Sequence, residues 1–338
     1  MISVMKRVLF SLLLCGLSTS ALANYCVLPA VELATRPSPE QGPTDVVVRL
    51  YVNDIIAIHD AEQSFTGDVL FRAEWMDPRL AHAGPVACIT GMEQVWTPLL
   101  QLLNRRHIEQ IREPHLSIAP DGQVIFSLRS YGEFSFRADL TDFPFDRQEL
   151  SFNVVSSYSK EEVRLRTRME FLGMAEPLSV ANWTIAIDSF RSRSEYVPAV
   201  DKHLARLDLV LSAQRLTSYY TWQQLLPLLL VVMMTWVVFW LPLEFVPPRV
   251  GLAATSMLTL IAYRFAMSSV LPPIAYLTRL DVFMIGSSVL IFVALATAVA
   301  ITYIAEQHTV EAAERVNRAA RWLSPLGLLL VSAYAFYA

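Results

Sequence analysis

Pro247-Pro248-Arg249-Val250-Gly251-Leu252-Ala253-Ala254-Thr255-Ser256-Met257-Leu258-Thr259-Leu260-Ile261-Ala262-Tyr263-Arg264-Phe265-Ala266-Met267-Ser268-Ser269-Val270-Leu271-Pro272 is the stretch that decides how this chain folds. Prolines bound it at both ends, and the roughly 22 residues between them, at about 1.5 Å rise each, reach across a hydrocarbon layer about 30 Å thick. The stretch predicts a membrane-spanning helix. Thr255, Ser256, Thr259, Arg264, Ser268 and Ser269 interrupt its apolar run, however, and polar groups at that depth need protein or water as partners. Steps of four and three from Gly251 place Thr255, Leu258, Ala262, Phe265 and Ser269 on one stripe. A stripe that is polar at its ends and apolar at Leu258, Ala262 and Phe265 suits the wall of a water-filled pore with a narrow apolar waist. A single copy could not satisfy it in lipid, which is a reason for the chain to oligomerise.

The rest of the composition agrees with a membrane protein. The 338 residues are 54% hydrophobic and 17% charged, richer in apolar residues than an ordinary soluble domain. A net charge of -4, with no basic run longer than Arg105-Arg106-His107, speaks against a nucleic-acid partner. Cysteine and histidine do not fall at metal-ligand spacing, and there is no glycine-rich phosphate loop or Gly-x-Ser-x-Gly elbow, so neither a metal nor a cofactor is expected. Titratable residues do not recur at catalytic spacing, which argues against an enzyme.

Lys6 and Arg7, the apolar run Val8 to Leu17 and the small-residue pattern Ala21-Leu22-Ala23 predict a signal peptide over residues 1–23. Export would place Cys26 and Cys88 in an oxidising compartment, where a disulfide between them and a pair of free thiols are both open. From Asp45 to about Arg215, Pro, Gly, Asp or Asn recurs every ten residues or so between alternating segments, the pattern of an antiparallel, immunoglobulin-like β-sandwich spanning 24–216. Phe65, Val69, Phe71, Ala73 and Trp75 form the core face of one strand, with Asp68, Leu70, Arg72 and Glu74 on the other. After the Asp121-Gly122 turn, Val124, Phe126 and Leu128 alternate with Ile125, Ser127 and Arg129.

Residues 217–338 predict a bundle of four helices with spans at about 219–241, 250–271, 281–304 and 322–338, giving an α+β fold. Pro227 lies inside the first span, with Trp222, Trp236 and Trp240 towards its ends. Ala305 to Arg321 reads as a short charged connector. Four spans after an exported domain return the C-terminus to the same side as the N-terminal domain.

The spelling Pro-Pro-Arg-Val-Gly-Leu at 247–252, with Thr255-Ser256-Met257-Leu258-Thr259, Leu271-Pro272 and Tyr276, resembles the second transmembrane helix of pentameric ligand-gated ion channels, the Cys-loop receptor superfamily. The local spelling is nearest to glycine and GABA receptors. Trp75-Met76-Asp77-Pro78-Arg79-Leu80, Trp96-Thr97-Pro98 with Asn104, and Asp139-Leu140-Thr141-Asp142-Phe143-Pro144-Phe145-Asp146-Arg147-Gln148 resemble three further motifs of the superfamily, the last being its signature loop. Phe136 and Leu150 stand where animal receptors have the two loop cysteines, as in bacterial members. The short connector after the third span points the same way.

The resemblance implies four further identical subunits around a central pore, small inorganic ions passing through it and lipid around it. It implies a bacterial inner membrane, with the N-terminal domain and the C-terminus on the periplasmic side. Pro247, Pro248 and Arg249 correspond to the selectivity filter. Cation-selective members usually carry glutamate where this chain has Pro248, so the expectation leans to chloride, with a cation-selective or proton-gated channel as the alternative. A membrane-anchored periplasmic sensor without a pore is the rival of another class. Asp60, Glu62, Pro144, Phe145, Asp146, Arg215 and Pro272 correspond to the elements that couple sandwich to pore. Arg72, Ser127 and Arg129 align with glycine-receptor positions, and the counterparts of Arg72 and Ser127 hold an agonist carboxylate. The aromatic cage of amine-gated relatives is incomplete, with Leu103 and Ser156 at two of its positions and Tyr158 and Tyr196 as the aromatics that remain. An amino acid or other carboxylate, or protons, are the implied agonists. Arg264, about 100° from Phe265, is expected to face a neighbouring helix or subunit.

Overall fold

A computed structural model describes residues 35–110, 114–267 and 273–337. The leader at 1–23, Cys26, Ser269 and Pro272 lie outside the described residues.

Among the described residues, twelve strands form two sheets. They are β1 (Thr44–His59), β2 (Ser64–Met76), β3 (Cys88–Thr90), β4 (Leu100–Leu102), β5 (Arg105–Gln110), β6 (His115–Ile118), β7 (Gln123–Ser135), β8 (Arg147–Ser159), β9 (Val163–Arg166), β10 (Leu172–Met174), β11 (Trp183–Val197) and β12 (Lys202–Arg215). The larger sheet runs β10-β1-β2-β7-β6-β3, with β5 on β7 and β9 on β1; the smaller runs β11-β12-β8-β4. Pairing is antiparallel except that β9 and β10 join β1 in parallel. Phe65, Val69, Phe71, Ala73 and Trp75 of β2 are all buried, as the alternation predicts. Phe65 stacks on Phe134 within its sheet at 5.5 Å and meets Phe152 of the opposite sheet edge-on at 5.4 Å. These rings fill the gap between the sheets with large apolar area in favourable ring geometry.

Polar motif residues tie the shell of the sandwich. The Asn104 side chain donates to the carbonyls of Ser135 (2.9 Å) and Ser151 (2.7 Å) and accepts from the Asn153 amide (3.1 Å), so one amide links both sheets. Gly122 has φ +87°, and a Cβ there would lie 2.5 Å from the Asp77 carbonyl, so this turn admits only glycine. Phe136 and Leu150 are buried. Cys88 is buried and disulfide-bonded.

Four helices follow: α1 (Ser218–Trp240), α2 (Val246–Met267), α3 (Arg279–Gln307) and α4 (Val310–Tyr337). Among the described residues, α1, α3 and α4 are long and apolar enough to cross a membrane. Pro227 has no N–H and crowds the carbonyl four residues before it, and α1 widens into a π-turn at Thr221–Leu225 just ahead of it. Pro325 inside α4 likewise deprives the Arg321 carbonyl, which instead accepts the Trp236 indole N–H at 2.8 Å. α3 starts on a capping box in which Thr278 and Asp281 satisfy each other's backbone amides. A Cβ on Gly286 would come within 2.4 Å of Val331, so α3 and α4 touch backbone to side chain there.

One expectation is corrected. Ala305 to Arg321 is not a connector: α3 runs to Gln307 and α4 starts at Val310, leaving only His308 and Thr309 between them. Alanine at 312, 313, 319 and 320, with Glu311 and Arg315, and Glu314 and Arg318, four apart, makes this charged stretch a good helix.

Candidate functional site

α2 divides cleanly into two faces. Gly251, Thr255, Leu258, Ala262 and Phe265 are exposed, Leu258 at 68% and Phe265 at 76%, whereas Arg249, Ala253, Ser256 and Leu260 are buried against the other helices. The described part of the stripe read from the sequence therefore lies on the face that the subunit leaves uncovered. Thr255, Ser256 and Thr259 each return their hydroxyl to the carbonyl four residues back, at 2.8 to 2.9 Å, so their hydrogens are satisfied inside the helix. Tyr263, on the covered side, donates its hydroxyl to the Gln224 carbonyl in the π-turn of α1 at 2.8 Å. Arg264 is exposed.

Arg249 is placed differently from the two prolines before it. Pro247 and Pro248 are exposed, but Arg249 is 1% exposed and points into the bundle, where its Nη2 donates to Asn317 Oδ1 of α4 at 2.6 Å. Its position on the helix is about half a turn from the stripe, so its side chain leaves the helix on the covered side.

The junction between sandwich and helices centres on Arg215, the last residue of β12, which is 3% exposed. Its Nε and Nη2 donate to the two carboxylate oxygens of Asp146 at 2.7 and 3.0 Å, and its Nη1 and Nη2 to those of Asp60 at 2.9 Å each. Trp183, Phe143 and Tyr220 stack around the guanidinium with centroids at 4.1, 4.9 and 5.5 Å. Burial works against the charge, but the hydrogen bonds and fields of Asp146 and Asp60 outweigh it and hold the Arg215 pKa above its ordinary value. Gln148 donates to Asp146 at 2.5 Å and exchanges hydrogen bonds with the backbone of Asp139, closing the loop on itself.

That loop touches three helices. The Arg279 and Leu280 amides at the start of α3 donate to the Thr141 and Phe143 carbonyls at 3.0 and 3.3 Å. Arg279 also bonds Asp142 at 2.8 Å and the Phe336 carbonyl near the end of α4 at 2.6 Å. Phe143 packs on Tyr220 of α1 at 5.0 Å, Phe145 on Phe336 at 5.7 Å, and the Leu140 amide donates to the Tyr276 hydroxyl at 3.0 Å. Asp60, Asp146 and Arg215 thus gather at one node, with Phe145 of the same loop on Phe336 and Pro144 buried between Phe143 and Phe145; Glu62 does not join the ion pairs and is exposed. Gln148, Tyr220, Arg279 and Phe336 complete the node and were not singled out in the sequence, although Gln148 lies within the signature loop.

The proposed cleft residues fall into two sets. Arg72 and Ser127 are direct cross-strand partners on β2 and β7, with Arg129 beside Leu70. Neither arginine is free. Arg72 and Arg49 both bond Glu74 Oε1, at 2.8 and 2.9 Å, while Arg129 grips Asp68 at 2.6 Å, whose hydrogen bonds and charge raise the Arg129 pKa. Three arginines face two carboxylates in this patch. On the smaller sheet, Tyr158 accepts the Trp96 indole N–H at 3.0 Å, and Ser156 is buried with its hydroxyl on the Pro98 carbonyl. Tyr196 is exposed, stacks on His203 at 5.1 Å and donates to Asp201 at 2.8 Å, a bond that raises its pKa. The arginine set and the tyrosine set lie on different sheets of the sandwich.

Residues 31–203 match the neurotransmitter-gated ion-channel ligand binding domain, and residues 224–329 match the neurotransmitter-gated ion-channel transmembrane region. The chain belongs to the neurotransmitter-gated ion-channel family. Members of this family are ligand-gated channels and not enzymes, and the protein is an integral membrane protein. Similar curated proteins include the gamma-aminobutyric acid receptor subunit rho-3 of Rattus norvegicus, 27% identical over 90% of this chain and 68% of its own length. The gamma-aminobutyric acid receptor subunit beta-4 of Gallus gallus is 26% identical over 82% of this chain and 59% of its own, and subunit gamma-1 of Homo sapiens is 25% identical over 80% and 60%. The chain therefore spans about 60 to 68% of the length of these relatives.

Proposed function

We propose that this neurotransmitter-gated channel subunit assembles with four identical copies around the exposed face of α2, and that a small agonist bound in the cleft between two sandwiches opens the resulting pore. The division of α2 into a packed face and an uncovered one carries this reading: a face bearing Thr255 and Gly251 below an apolar Leu258 suits water and ions better than lipid. In a ring, Leu258, Ala262 and Phe265 would narrow the path with apolar side chains that shed water, closing it without a plug. The arginine set of one subunit would meet the tyrosine set of the next. An agonist with a carboxylate suits three arginines facing two acids, and the gamma-aminobutyric acid of the relatives' names is such a molecule. The membrane proposed is the bacterial inner membrane, with the sandwich and C-terminus periplasmic.

Anion selectivity is the reading favoured for the pore. Pro248 stands at the mouth where an acid would attract cations, and Arg249 adds a buried positive charge close behind it. Reconstitution of the purified protein in a planar bilayer, with amino acids, amines and pH steps applied in turn, tests the whole reading. Under a sodium chloride gradient the reversal potential is expected near the chloride value, and Pro248→Glu is expected to move it towards sodium. A wild-type reversal near the sodium value would overturn anion selectivity; absence of any current would favour a sensor without a pore.

A further inference from the structure

Arg249 is held in an unusual way for a buried cation. Among the described residues the one hydrogen bond of its guanidinium goes to Asn317, and its Nε and Nη1 are buried without partners. Among the described residues no carboxylate pairs with it, and the charge that acts on it, Arg321, has the same sign. Asn317 is itself held at both ends of its amide: its Oδ1 accepts Arg249, and its Nδ2 donates at 3.0 Å to the Phe239 carbonyl, which also accepts Arg321 Nε at 2.8 Å. Turning the amide over would set donor against donor and acceptor against acceptor, so its orientation is fixed. A guanidinium with most of its donors unmet in a low-dielectric bundle is expensive, and any path to water lowers its energy. Such a path lies one step away, since Pro247 and Pro248 on the same turn of α2 are exposed.

We propose that Asn317 of α4 is a positioning residue for the pore helix: by holding Arg249 it turns the first helical turn of α2 towards the bundle and keeps the guanidinium out of the ion path, so that the fourth helix sets the charge at the pore mouth. This rests on the reading of α2 as the pore wall. The contact links the peripheral α4 to α2 directly, bypassing α3. Losing the Asn317 acceptor releases Arg249 towards water at the mouth and makes the path more positive. Giving Asn317 a negative charge fixes Arg249 where it is and cancels its field.

The test compares Asn317→Leu and Asn317→Asp in the full-length protein in bilayers under a sodium chloride gradient. Asn317→Leu is expected to raise the chloride-to-sodium permeability ratio severalfold and Asn317→Asp to lower it, with both effects lost in an Arg249→Gln background. A merely structural role would move the two variants the same way or not at all, and that result, or shifts that survive without Arg249, overturns the proposal. Thermal unfolding in detergent gives a second reading that needs no current. Asn317→Leu and Arg249→Gln should be non-additive in a double-mutant cycle. If wild type is silent, the pore reading falls, and the cycle alone decides the contact; additive losses there overturn it.

Discussion

Arg215 grips Asp60 and Asp146 at the same time, a pair of hydrogen bonds to each, so the β1–β2 turn and the signature loop are fastened to the end of β12, just ahead of the first span. Arginine alone has the planar fork that this requires. Arg215→Ala would leave two carboxylates unpaired in a buried site, a loss of about 3–5 kcal/mol, whereas Arg215→Lys keeps the charge and forfeits the paired geometry. Thermal unfolding should fall in the order wild type, lysine, alanine, and dose-response curves of the lysine variant should flatten before its folding does. A lysine variant with wild-type gating would show that the paired geometry is dispensable.

Leu258 is expected to set how easily the pore wets. Leu258→Ser or Leu258→Ala replaces an apolar ring with a polar or smaller one, which weakens dewetting and should lower the agonist concentration needed or leave a standing leak. Bilayer recordings decide this, and unchanged dose response without leak would place the gate elsewhere.

Glu74 is predicted to compete with an anionic agonist for Arg49 and Arg72. Glu74→Gln frees both guanidinium groups and should shift the response to a carboxylate agonist to lower concentration. Arg72→Ala should shift it the other way by about 1–3 kcal/mol, the range for hydrogen bonds to charged groups. An agonist affected by neither change binds outside this patch.

Acid should loosen the signature loop at its start. The Thr141 hydroxyl and amide donate to Asp139 and lower its pKa below the ordinary carboxylate value. A group depressed on folding stabilises the fold above its unfolded pKa and ceases to do so as pH falls through the folded value. The melting temperature in detergent should therefore drop on acidification below the usual aspartate range, and Asp139→Asn should remove part of that slope. An identical slope in the variant would assign the acid sensitivity to other carboxylates.

The fold was legible where burial leaves a period in the sequence. β2 reads correctly because its core face alternates strictly, and α2 because its polar residues recur at helical spacing. Arg215, Asp60 and Asp146 could be grouped only through the family resemblance, since 155 and 69 residues separate Arg215 from Asp60 and Asp146. The same sequence distance hid what the motif did not name. Nothing near Arg249 signals that an asparagine 68 residues later captures it, and an arginine opening a pore helix reads naturally as facing the mouth. Glu62 lies outside the Arg215 ion pairs for the opposite reason, because an acid in a turn satisfies itself in solvent as well as in a network. The charged stretch before the fourth span reads as a connector by its charge, but its alanines favour the helix it forms.

The joint between α3 and α4 is only His308 and Thr309. Helices of 29 and 28 residues flank it. At about 1.5 Å per residue each runs to about 40 Å against a hydrocarbon layer of about 30 Å, so the joint stands clear of the lipid like the tip of a hairpin. It is a natural splice site. A compact reporter inserted between His308 and Thr309 would ride on the end of the helix that carries Asn317, converting movement of α4 into a fluorescence signal that can be followed without electrodes.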